Sequence, residues 1–175
     1  MDKLTPKQTS KGAEEIVLTQ IKQDFITPAN AIFDYVDMAE KALIDAQLES
    51  TDEIEQIKSS CSKLIDQYDV AFVQNTGVNA DSSKKSPEEY SELRHNLRTP
   101  LNAIIGYSEI LMEDYEDDLD EGTLEDFQQI INLARETETA IEKFVDFIRG
   151  EAVDIEDDNS SNQLVPLIVQ TNDID

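Results

Sequence analysis

His95 is the only histidine in the chain, and it stands in the stretch Leu93 to Met112, LRHNLRTPLNAIIGYSEILM. A lone imidazole is a nucleophile near neutral pH and needs no covalent help from its neighbours. It lacks the company needed for a structural zinc site, since the chain has only one cysteine, Cys61, and no second histidine. Asn96 follows it directly, Thr99 lies one turn later, and Pro100 comes next in an otherwise helical pattern.

The element that must hold these residues is an amphipathic helix. Tyr90, Leu97, Leu101, Ile104, Leu111 and Tyr115 recur at three- and four-residue steps or multiples of them, the seam of a helix packed in a bundle. At about 100° per residue, His95 falls opposite Ile104 and should face water. Thr99, Asn102, Gly106 and Glu109 project within about 40° of it, forming a polar stripe with one member lacking a side chain. Such a stripe leaves room for a partner to approach. Pro100 offers no N–H to the carbonyl of Asn96, so the helical ladder is interrupted beside the histidine and the helix is bent or loosened there.

HNLRTPL resembles the H-box of sensor histidine kinases, in their dimerisation and phosphoacceptor domain. His95, Thr99, Pro100 and Leu101 match that pattern, Asn102 to Ile105 continue in its style, and the resemblance covers about Pro87 to Gly150. It implies that His95 is the phosphoacceptor and that Thr99 can orient water for dephosphorylation of a receiver domain. It also implies that Pro100 kinks the helix, and that the partner is the receiver domain of a response regulator carrying its own magnesium and acceptor aspartate. No cofactor is expected in this chain. Asn96 departs from the family, which usually places an acid there as a base in the attack on ATP. An amide has no useful basicity at neutral pH, so autophosphorylation in the usual manner is not expected.

The residues after Gly150 are too few for an ATP-binding domain and contain no glycine-rich lid, so the chain does not read as a complete kinase. A separate histidine kinase or ATP-binding domain would have to supply phosphate that starts from ATP. The expected function is a histidine phosphotransfer module of a two-component phosphorelay, exchanging a phosphoryl group between His95 and a receiver aspartate. The alternative is a catalytically silent bundle that binds a receiver as a scaffold or transmits a signal.

Comparing IKQDFITPANAIFDYVDM, from Ile21, with LRHNLRTPLNAIIGYSEI, from Leu93, reveals an internal repeat. Thr27, Pro28, Asn30, Ala31, Ile32 and Tyr35 recur as Thr99, Pro100, Asn102, Ala103, Ile104 and Tyr107, while Gln23 takes the place of His95. Further on, Ile54, Gln56 and Ile57 resemble Phe127, Gln129 and Ile130. The expected organisation is a flexible lead-in over 1–11, a degenerate hairpin over 12–74, a linker over 75–86, the histidine-bearing hairpin over 87–150, and an acidic, mostly disordered tail over 151–175.

A single hairpin cannot bury its apolar stripe, so the fold class is all-α, with two antiparallel hairpins forming a four-helix bundle. Here one chain supplies both, and a monomeric pseudo-dimer is favoured over a homodimer. Ser86-Pro87-Glu88-Glu89 reads as a helix start. The acidic stretch Glu113 to Glu121 reads as a loop closed by Gly122, with Thr123 or a neighbour opening the last helix. Gly150 ends that helix. In the tail, Leu164 to Val169 is the one apolar run and reads as a short docking strand or as the beginning of a further segment.

Composition narrows the partners. A formal charge of -25 and a pI near 4.1 repel phosphate backbones and anionic lipid, which argues against nucleic acid and membrane binding. No apolar run is long enough to cross a bilayer, no signal peptide is evident, and a single cysteine suits a reducing cytosol, so a cytoplasmic location is expected.

Overall fold

The computed structural model describes residues 6–49, 51–76, 85–150, 153–156 and 162–165. Four helices account for most of them: α1 (Pro6–Asp45), α2 (Thr51–Thr76), α3 (Pro87–Asp114) and α4 (Glu121–Ile148). α1 starts at Pro6, ahead of the expected Gly12, because proline in the first turn gives up an N–H that has no helical partner there. Residues 1–5 and 77–84, parts of the expected lead-in and linker, lie outside the described residues, as does Ser50.

Local chemistry sets the helix ends. At the start of α3 the Ser86 hydroxyl accepts from the Glu89 N–H at 3.2 Å, while the Ser86 N–H donates to Glu89 Oε2 at 2.6 Å. This reciprocal capping box satisfies two otherwise orphaned donors. Ser86→Ala should therefore lower stability by about 1 kcal/mol in a urea titration. α4 is capped by Asp120, one to three residues before the expected opener. The Thr123 N–H and hydroxyl both donate to Asp120 Oδ1, at 2.7 and 2.8 Å, and hold its carboxyl below the usual carboxylate range. Gly122 thus sits inside the first turn of α4 rather than closing the preceding loop. At its other end α4 stops as expected: Gly150 takes φ 83° and donates its N–H to the Phe147 carbonyl.

Between α1 and α2, the Gln47 N–H donates to Ile44 and the Leu48 N–H to Leu43, each at 3.0 Å. This is a Schellman closure, with Gln47 at φ 59° in the left-handed position that glycine prefers. Gln47→Gly should raise stability by about 0.5–1 kcal/mol, since the relieved backbone strain exceeds the added chain entropy. The urea midpoint reports it.

α1 packs on α2 and α4, and α3 packs on the same two helices, which closes a square with α1 diagonal to α3. One hydrophobic core runs through all four helices, so a single chain forms the bundle. The internal repeat extends to burial. Phe25, Pro28, Ala29, Ile32, Val36 and Ala39 on α1 are buried, and so are Leu97, Pro100, Leu101, Ile104, Ser108 and Leu111 at the matching places on α3. On α2 and α4 the buried pairs are Ile54 with Phe127, Ile57 with Ile130, Cys61 with Ala134, Leu64 with Thr137, Tyr68 with Ile141, and Ala71 with Phe144. Toward the open end of the bundle, Tyr68 stacks on Phe25 with ring centroids 3.5 Å apart and tilts against Phe144 at 5.0 Å.

The tail departs in part from its expected disorder. β1 (Val153–Glu156) and β2 (Asn162–Val165) pair antiparallel, Val153 opposite Val165 and Glu156 opposite Asn162. Val153, Ile155 and Val165 are strand-favouring residues, and their pairing holds despite the acidic composition around them. Leu164 and Val165 of the expected docking strand belong to β2, while 166–169 lie outside the described residues. Among the described residues, no helix is long and apolar enough to cross a membrane.

Candidate functional site

His95 lies in the third turn of α3 and is exposed. The stripe expected around it is present: Thr99, Asn102 and Glu109 are exposed and Gly106 is half-buried. Asn96 is exposed as well, beside the histidine.

Pro100 is buried, directed at the core beside Leu101 rather than at the polar stripe. α3 nevertheless runs unbroken from Pro87 to Asp114. Without an N–H at position 100, the Asn96 carbonyl lacks its usual helical donor. One residue earlier, the Thr99 hydroxyl donates to the His95 carbonyl at 2.9 Å. Thr99 therefore reinforces the backbone at the histidine just where the ladder is weakest.

The arginines on either side of His95 reach across the hairpin, a pairing that the sequence reading does not contain. Arg94 and Arg98 flank His95, one before and one turn after, and both turn sideways onto α4. Arg94 Nε lies 2.8 Å from Glu142 Oε2, and Arg98 Nε donates to Glu138 Oε1 at 2.7 Å. The Arg98 guanidinium is held further in its charged form by that hydrogen bond. Two arginines are thus engaged on α4 across the hairpin, while His95 between them stays exposed. The available signal was Glu138 and Glu142, spaced one turn apart on a helix expected to lie alongside. N-terminal to the histidine, Pro87, Glu88, Ser91, Glu92 and His95 line a shallow depression. C-terminal to it, α3 and α4 leave an open groove of about 380 Å³.

On α1 the matching residues are placed alike. Gln23 and Thr27 are exposed and Pro28 is buried. Cys61 is buried in the α2 core, where desolvation pushes its thiol up to about 12, so it takes no part in the surface chemistry. Among the described residues, no group of three or more His, Cys, Asp or Glu side chains is arranged to hold a metal ion.

The His Kinase A (phospho-acceptor) domain family matches residues 89–153, a span that contains His95 and runs over most of α3 and all of α4. No curated protein and no solved structure matches the chain. The second hairpin is thus similar to the phospho-acceptor domain of histidine kinases. Residues 89–153 of this chain are similar to the His Kinase A (phospho-acceptor) domain, and His95 lies within the matched span.

Proposed function

We propose that His95 accepts a phosphoryl group and exchanges it with the aspartate of a receiver domain. The observation that carries this reading is the outward position of the chain's only histidine within the phospho-acceptor match. The lone pair of an imidazole nitrogen attacks phosphorus, the acyl-phosphate P–O bond of the receiver breaks, and the departing carboxylate keeps the bonding electrons. The proton on the other imidazole nitrogen passes to solvent. Magnesium, bound by the receiver, neutralises the transferring oxygens, while this chain supplies position.

Asn96 supports a transfer role over attack on ATP, because its amide cannot serve as the base that an acid at that place would provide. Thr99 is assigned two tasks in this reading: it steadies the His95 backbone, and its position one turn away suits it to orient water during loss of phosphate from the receiver. Pro100 loosens the ladder between them. The bundle works as a monomer, with α1 and α2 taking the place of a second protomer.

The test is to charge each receiver domain encoded by the source genome with acetyl phosphate and magnesium and to incubate it with the protein. Acid-labile phosphate on the chain supports transfer. Receiver binding with no phosphate on the chain would replace this reading with the scaffold.

A further inference from the structure

The two hairpins share one buried pattern and differ on their outer faces. Gly106 lies on the stripe headed by His95, in the interior of α3, where glycine is a poor helix former. Nothing in the fold asks for it: a Cβ added there meets no atom within 4 Å, and its backbone is ordinary helix. The matching place on α1 holds Asp34, exposed, in the same kind of helix. A glycine that the interior does not require, about three turns along the same stripe from an acceptor histidine, keeps space for something outside the chain.

A second, separate difference lies between the helices of each hairpin. The open groove beyond His95 has Met112, Leu124 and Ile131 as its apolar floor and a net acidic rim of Glu109, Glu113, Glu116, Gln128 and Arg135. This composition suits a helix bearing an apolar ridge flanked by lysine or arginine. In the first hairpin the counterpart of Ile131 is Lys58. Its ammonium lies 3.0 Å from Asp37 and 2.5 Å from Glu40, the counterparts of Glu109 and Met112. A charged tether from α2 to α1 thus lies where α3 and α4 leave a groove, and Glu40 and Asp37 hold that lysine in its charged form. The Glu113 rim is inverted as well, to Lys41.

We propose that the bundle engages one receiver at a time, through the α3–α4 face alone, because Asp34 and the Lys58 tether shut the matching α1–α2 face. The proposal rests on the receiver as partner but not on phosphate reaching His95. Loss of the second acceptor is then only part of the divergence, and the first hairpin is kept as a packing partner that cannot sequester a receiver unproductively. A homodimer of identical hairpins has no such asymmetry.

The test measures receiver-to-chain stoichiometry by sedimentation and calorimetry. The His95→Gln protein is used, so that transfer plays no part, with the same set of receivers. One receiver per chain is expected. Gly106→Asp, which copies Asp34, should weaken binding at least tenfold. Gly106→Ala should raise the melting temperature while weakening binding, two changes of opposite sign that a structural role would not produce. Asp34→Gly combined with Lys58→Ile should admit a second receiver. Two receivers on the parent protein, undiminished binding by Gly106→Asp, or no binding by any receiver would overturn the proposal. So would a single receiver on the double variant with its melting curve intact, and if that variant does not fold, Gly106→Asp decides. Phosphate on His95 with two receivers bound would sink this inference and leave the transfer reading standing; one-sided binding without phosphate would do the reverse.

Discussion

A His95→Gln variant is expected to fold as the parent does and to carry no acid-labile phosphate after incubation with a charged receiver, a loss of at least a hundredfold against the parent. The fold should be indifferent because the imidazole is exposed and lies on the face opposite the buried Ile104. The native protein carries glutamine at the matching place on α1, in a helix with the same buried pattern, so this side chain is compatible with the local structure. The chemistry should vanish because the chain contains no other histidine, and glutamine presents no lone pair of comparable nucleophilicity. Circular dichroism and an acid-lability assay on the same preparation separate the two effects. Full phosphorylation of the variant would remove His95 from the reaction.

Phe144→Ala is expected to cost about 3–5 kcal/mol of stability, the usual range for truncating a buried aromatic. Phe144 is fully buried on α4 and touches aromatic rings carried by α2, with its centroid 5.0 Å from Tyr68 and 5.8 Å from Phe72; Tyr68 in turn stacks on Phe25 of α1. The ring therefore joins elements of both hairpins, and its removal leaves a cavity between rigid neighbours that cannot easily close. Among the described residues the Tyr68 hydroxyl has no hydrogen-bond partner, and burial raises its pKa. A urea midpoint shifted by less than a third of the expected amount would mean that the two hairpins are not held together here.

These two expectations draw on different layers of information. Within one helix, the spacing of Leu97, Leu101, Ile104 and Leu111 places His95 outward, because the 3.6-residue period links position in the chain to direction in space. The same period exposes the repeat, since a second threonine and proline at the matching step must bury the same face. Caps made of neighbouring residues, Ser86 with Glu89 and Gly150 after Ile148, are also local and can be read directly. Where several acidic and small residues compete for one loop, local reading misplaces the cap, as with Asp120 and Thr123.

What the chain order leaves open is anything that needs two elements at once. The ion pairs of Arg94 and Arg98 depend on Glu142 and Glu138 across the hairpin. The open groove of the second hairpin and the Lys58 tether of the first differ at residues some twenty positions apart, which come together only when helices pack. Periodicity by itself thus determined that there are two amphipathic hairpins and which way the imidazole faces. Which of the two outer faces stays open was decided only in the tertiary structure, because a helix specifies its own faces while a groove belongs to the pair of helices that form it.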